Sequence, residues 1–163
     1  QDSKGEEVEK KQKEQEKEKR VEKRQQTKER IPVIAKALSE HKEDVFTIEG
    51  ITMELTESGK ANFCYSTSND YDDIFHIGLG EVLCRADPTL IYCGLFEDGE
   101  KIRVIVYAGD KISKENSAGD IVKSVSDVLG GAGGGSPKFA QGGGTDKSKK
   151  EDAIKNVKTM IFE

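Results

Sequence analysis

Sixteen residues, Gly130-Gly-Ala-Gly-Gly-Gly-Ser-Pro-Lys-Phe-Ala-Gln-Gly-Gly-Gly-Thr145, hold eight of the 17 glycines in this chain. Glycine lacks Cβ, so a ligand can come close to main-chain N–H groups, which is the chemistry of phosphate binding. A flexible Gly/Ser tether is the bland alternative. Against it, Pro137, Phe139 and Ala140 interrupt the run with one stiff residue and two that can be buried. The second triplet leads through Thr145-Asp146 into Lys147, Lys149 and Lys150, at the expected start of the last helix. Amides at a helix N-terminus add positive potential there. The expected site is therefore a fixed loop offering the N–H groups of Gly133, Gly134, Gly135, Gly142, Gly143 and Gly144, with Lys138, Lys147, Lys149 and Lys150 beside them, to a phosphodiester backbone.

Other chemistries are disfavoured by what the sequence lacks. No Gly-Lys-Ser/Thr follows the glycines, so there is no Walker loop, and the run follows an expected helix where a dinucleotide fingerprint follows a strand. The two histidines, His41 and His76, stand far apart and lack Cys or His partners at zinc spacing, so no metal site is expected. His41 is expected on the surface of a short helix and His76 in or beside a helical face. Asp70, Asp72 and Asp73 cluster where acids favour a helix start. Cys64, Cys84 and Cys93 form no C-x-x-C pair and sit among apolar neighbours, as reduced, buried thiols do. No catalytic residue is expected.

The elements that must hold this site are legible in the periodicity. Residues 5–30 are strong helix formers with pairs such as Glu6–Lys10 and Glu9–Lys13, but without apolar a/d positions, which fits a solvated helix or a partly disordered tether. Ile31-Pro32 breaks the pattern, and Pro32 suits the first turn of a new helix. That helix carries one stripe, Ile31, Ile34, Ala35 and Leu38, which must dock either on the globular body or on a second copy. Val45–Ile48 and Ile51–Leu55 alternate as strands, with a turn at Glu57–Lys60. Beyond a Ser68 N-cap, Tyr71, Ile74, Phe75, Leu79 and Val82 share a helical face. Leu90–Phe96 and Ile102–Tyr107 form a hairpin turning at Asp98-Gly99. Ser117–Leu129 is a helix with Ile121, Val122, Val125, Val128 and Leu129 inward, closed by Gly130. The last helix, about 149–162, turns Ala153, Ile154, Val157 and Ile161 to one side.

The fold class is thus α+β (α/β-like), a mixed sheet with packed helices, preceded by an N-terminal helix–turn–helix segment. Residues 1–43 form the helical subdomain and 44–163 the globular, glycine-rich one. The chain opens at Gln1 rather than Met, as expected of a piece of a longer polypeptide. Formal net charge is −5, with 11 Lys/Arg against 9 Asp/Glu in residues 1–30, so the remainder carries −7. An acidic body excludes wholesale wrapping by nucleic acid and leaves a local patch. No apolar run nears the ~20 residues of a membrane span, so no membrane contact and a cytoplasmic setting are expected.

Leu129-Gly-Gly-Ala-Gly-Gly-Gly-Ser-Pro-Lys-Phe-Ala-Gln-Gly-Gly-Gly144 resembles the G-G-x-G-G-G-x-P-x-x-A-Q-x-G-G signature of alanyl-tRNA synthetase C-terminal domains of archaeal type, within the wider DHH-associated domain family. With its flanks the resemblance covers about 89–162. It implies that the helical segment mediates homodimerisation, so that Ile31, Ile34, Ala35 and Leu38 pair two copies. It also implies that the globular part contacts the outer corner (elbow) of tRNA-Ala. The expected contact is by shape, since the chain has no tryptophan and few aromatic candidates for base stacking. ATP, Mg and Zn are implied only for upstream domains of a parent ligase, and no cofactor for this chain. Two rivals remain, a DHH-type phosphoesterase C-terminal domain and the tail of a free-standing alanyl-tRNA editing protein. The phosphoesterase branch has a histidine after its G-G-G, where this chain has Ser136.

Overall fold

The computed structural model describes residues 3–41, 43–55 and 61–162. Its centre is β4 (Leu90–Asp98), whose first seven residues are all buried. Leu90 and Tyr92 point to one core while Ile91, Cys93 and Leu95 point to another, as in a strand covered on both faces. Around it stand β1 (Val45–Ile48), β2 (Ile51–Leu55), β3 (Asn62–Ser66), β5 (Lys101–Ala108), β6 (Ala132–Gly135) and β7 (Phe139–Gly144). The order is β1-β2-β3-β4-β5-β7-β6, with β3 and β4 parallel and every other pair antiparallel. The parallel step is bridged by α3 (Asp73–Ala86), a crossover helix. On one face lie α2 (Ile31–Glu40) and α3; on the other lie α4 (Ala118–Val128) and α5 (Lys150–Phe162). The expected mixed sheet with packed helices is observed. The turn expected at Glu57–Lys60 lies outside the described residues.

Helix α1 (Ser3–Glu29) is the solvated helix that its composition predicts, on the order of 40 Å long. Val8 and Val21 are exposed on it, and Arg20 pairs with Glu16 one turn back at 3.8 Å. At its end Arg30 grips Glu49, donating from Nε at 2.9 Å and from the second guanidinium nitrogen to the other carboxylate oxygen. Glu49 (φ 50) and Gly50 (φ 82) form the two-residue β1–β2 turn, both left-handed as a type I′ turn requires. Tyr71 donates its hydroxyl to the Glu49 carbonyl at 2.5 Å, fixing the same corner.

The stripe expected to pair two copies is covered within its own chain. Ile31, Ile34, Ala35 and Leu38 are at most 6% exposed and pack into one core with Phe75, Leu79, Leu83 and Met53. A short amphipathic helix has to bury its stripe, and α3 offers the nearer surface: Gly78 leaves room for Ile31, whose Cδ1 stands 2.8 Å from where a Cβ would be. Helix α2 therefore shares a core with residues on the far side of the 43/44 boundary.

Local details differ from expectation at three more places. The N-cap of α3 is Asp72, whose carboxylate accepts from Phe75 N at 3.1 Å; the Ser68 hydroxyl accepts from Asp70 N in a turn before it. Val82 is consequently exposed and Ile74 half-buried, while His76 and Leu83 take the inward face. The β4–β5 turn is Gly99-Glu100 between paired Asp98 and Lys101, one residue later than expected, with positive φ at Gly99 alone. His41 is half-buried and stacked on Phe46, with its Nδ1 enclosed and unpartnered. The three cysteines are buried and free, and burial pushes the Cys84 and Cys93 thiols up to about 12.

His76 is fully enclosed against Phe96, its Nδ1 2.6 Å from the Tyr92 hydroxyl and its Nε2 unpartnered. Its ring occupies the space that Gly94 leaves on the sheet. Desolvation pushes its pKa down to about 3, against a partial upward pull from Asp73. A neutral histidine in the fold and a titrating one in the unfolded chain make the native state take up fewer protons between pH 6.5 and 3. Stability is then complete above about pH 6.5 and falls as pH drops, by about 2 kcal/mol at pH 5.

The glycine segment forms β6 and β7, not a loop. Val122 Cγ1 stands 2.5 Å from the place of a Cβ on Gly133, and Ser126 Oγ closer still to that on Gly142. Helix α4 thus lies directly on the hairpin backbone. Two amides of α4's first turn hold the hairpin's own turn: Ala118 N donates to Pro137 O at 2.7 Å and Gly119 N to Ser136 O at 3.1 Å.

Three measurements check this account. Leu38→Ala should lower unfolding free energy by roughly 2–5 kcal/mol, while the exposed neighbour change Val33→Ala should leave it nearly unchanged in urea titration. His76→Gln should flatten the loss of stability between pH 6.5 and 5 seen in the parent chain. Gly142→Ala should cost roughly 1–3 kcal/mol from overpacking against Ser126, whereas Gly134→Ala, with its nearest neighbour Lys123 Cε at 3.9 Å, should be tolerated.

Candidate nucleic-acid interface

The glycine hairpin is placed between two elements of known cause. On one side it pairs with β5 over Ile102↔Gly144 to Tyr107↔Phe139. On the other it is capped by α4, which begins at the Ser117 N-cap (hydroxyl accepting from Asp120 N at 3.2 Å) and ends at Gly130 with φ 75. The Leu129 carbonyl at that end accepts from both Thr145 N and Asp146 N at 3.0 Å. The chain therefore leaves β7 tightly against the helix end, and Gly144 tolerates no Cβ beside that carbonyl.

A cleft of about 530 Å³ opens at this end of the sheet, lined by Gly130, Gly131, Ala132, Gly142, Gly143, Gly144, Thr145, Asp98, Lys101, Ile102 and Arg103. Six of those eleven residues are glycine or alanine. Lys147 reaches the same corner, donating its ammonium to Gly99 O at 2.5 Å in the β4–β5 turn. Arg103 lies across the mouth, with Asp73 at 3.4 Å, Asp98 at 3.6 Å and the Phe96 ring beneath it at 5.3 Å. These carboxylates aim the guanidinium while leaving its side chain about one-third exposed. The arrangement fits a phosphate: a wall without side chains, two β5 cations at i and i+2, and a third from the segment after β7.

The expected residues are only partly brought together. Gly142, Gly143 and Gly144 line the cleft, and Lys147 bonds the Gly99 carbonyl in the turn beside it. Gly133 and Gly135 face α4 and the β7 backbone, and Gly134 is open. Lys138 lies at the opposite end of β7, paired with Asp110 at 2.7 Å, and its ammonium holds that carboxyl below its usual range. Lys149 pairs with Asp152 at 3.6 Å, and Lys150 donates to Asn69 Oδ1 at 2.7 Å and Thr67 O at 3.2 Å. Lys101 and Arg103 were not anticipated; their i,i+2 spacing on one strand was the available signal. Ser136 closes the β6–β7 turn, its hydroxyl accepting from Phe139 N at 3.1 Å and donating to Phe139 O at 3.0 Å. Among the described residues no group of three or more His, Cys, Asp or Glu is arranged to hold a metal.

The DHHA1 domain family matches residues 81–163, which include α4, the glycine hairpin and α5. The alanine–tRNA ligase of Nitrosopumilus maritimus is 48% identical over 103 residues, covering 63% of this chain and 11% of the relative. That of Cenarchaeum symbiosum is 45% identical over 92 residues, covering 56% and 10%. The chain thus spans about a tenth of these relatives' length. The C-Ala domain of Aquifex aeolicus alanyl-tRNA synthetase superposes with a TM-score of 0.61 at 23% identity, over 68% of this chain and 98% of that one, which establishes a shared fold. The chain belongs to the DHHA1 domain family, and its likeness within that family is to the alanine–tRNA ligases.

Proposed function

We propose that this chain is the C-terminal, tRNA-binding part of an alanine–tRNA ligase, holding the outer corner of tRNA-Ala while upstream domains aminoacylate and edit. The observation that carries the reading is the glycine-lined cleft with Lys101 and Arg103 in its lining and Lys147 held at the adjoining β4–β5 turn. Contacts of this kind position a phosphate backbone and carry little sequence information, so identity of the tRNA would be read elsewhere. The chain itself contributes no catalytic group in this reading. ATP, Mg and Zn would belong to other parts of the parent, in the cytoplasm. No helix among the described residues is long and apolar enough to cross a membrane.

The family resemblance also implies homodimerisation. Ile31, Ile34, Ala35 and Leu38 are covered in their own chain, which favours a pairing on another face. Sedimentation of the chain decides this: a single monomeric species across micromolar concentrations removes pairing from the reading. A phosphoesterase origin has less to support it, because Ser136 serves the turn.

The RNA reading predicts salt-sensitive association with a tRNA-Ala transcript. Changing Lys101 and Lys147 together to Glu should weaken it at least tenfold and flatten the dependence of log K on log salt by roughly 0.7–0.9 per lost contact. Lys138→Glu, at the far end of β7, should do much less. Equal losses from both changes would remove the cleft from the interface.

A further inference from the structure

Beside the cleft, the same hairpin presents a second kind of surface. The register places Tyr107, Ile105 and Arg103 of β5 opposite Phe139, Gln141 and Gly143 of β7, so these six share one face of the sheet. It is the face on which α3 lies, packed chiefly over β4 and β5. Ile105 is wholly covered; Tyr107 and Phe139 are half-buried, and Gln141 is exposed. The Tyr107 and Phe139 rings lie 4.7 Å apart at 36°. Gly80 of α3 makes this possible, because a Cβ there would stand 2.6 Å from Tyr107 Cδ2. Next along the face comes the Gln141 side chain, whose amide oxygen is 3.4 Å from an Arg103 guanidinium nitrogen.

We infer that this face takes an unpaired nucleobase of the bound RNA, stacked on Phe139 and Tyr107, with Gln141 at the base edge and Arg103 toward the phosphate. The inference rests on the RNA reading above and names what the RNA must offer. Same-face positions on a strand are about 6.8 Å apart, so ring, amide and guanidinium span about 13 Å, the reach of one nucleotide and its neighbouring phosphates. Every base has a π-face, so an aromatic step accepts any base, and a side-chain amide adds a donor and an acceptor at its edge. An apolar protein segment would find little here to bury, since beyond the two rings the surface is Gln141, Gly143, Gly134 and Ala132.

The full chain is titrated with a tRNA-Ala transcript at several salt concentrations. Phe139→Leu is expected to weaken binding about tenfold without changing the salt slope, because stacking releases no counterions. The chain has no tryptophan, so Phe139→Trp reports directly: its emission should fall when the transcript binds and stay unchanged with a blunt, fully paired RNA duplex. The Trp variant also serves should Phe139→Leu fail to fold. Transcript binding with unaltered Trp emission, or equal quenching by the duplex, overturns the stacking inference and leaves the RNA reading intact. No transcript binding by the parent chain overturns both.

Discussion

Contact between the α4 surface and the bare backbone of the β6–β7 hairpin is the constraint on which the site depends. A helix normally stands about 10 Å from a sheet because side chains fill the gap; here Val122 and Ser126 of α4 touch main chain at Gly133 and Gly142. That approach draws the strands in under the helix. It also aligns the α4 end with the chain leaving β7, so that one carbonyl, that of Leu129, receives two amides. Dispersion gains at such contacts are individually small, but each is lost if a Cβ intervenes. The glycines therefore act as packing residues first. The open wall of the cleft is a consequence of that packing at the end where α4 no longer covers the strands.

The pinning of the hairpin is equally specific at its other end. In the turn Ser136-Pro137-Lys138-Phe139 the Ser136 and Pro137 carbonyls accept from the first amides of α4, and the Ser136 hydroxyl both donates to and accepts from Phe139. Helix N-terminal amides would otherwise be free to meet an anion. In this chain they are occupied internally, so the proposed phosphate contacts lie away from α4's start and toward the cleft at its finish.

Much of the fold was legible because periodicity and punctuation agreed. The Ile121, Val122, Val125 spacing, the Ser117 cap and Gly130 delimited α4 almost to the residue. What stayed hidden was long-range. A run of glycines carries no period, so nothing local distinguishes a loop from two strands; only pairing with β5 and cover from α4 make it a hairpin. The stripe of α2 illustrates the same limit, since its spacing shows that it must be buried without showing against what. The site suffered most. Lysines adjacent in sequence at 147, 149 and 150 point to three different neighbours, while Lys101 and Arg103, about forty residues upstream, reach the glycines through strand pairing.

On the proposed function, the charge distribution constrains how RNA would meet this surface. A body of net −7 repels a polyanion at long range, yet screening reduces that repulsion beyond about 8 Å at physiological ionic strength. Inside that distance the local arrangement governs, and it contains both signs. Asp73 and Asp98 hold Arg103 in place, so its fork is oriented before any ligand arrives, at the cost of partly neutralising it. Lys147 is positioned by the Gly99 carbonyl, which carries no net charge and leaves the ammonium's charge unneutralised by that partner. The proposed interface, built this way, would gain little from electrostatic steering and more from geometry. On that reading affinity would come from close backbone approach and aromatic contact as much as from the number of lysines, which makes an acidic domain compatible with the proposed RNA partner.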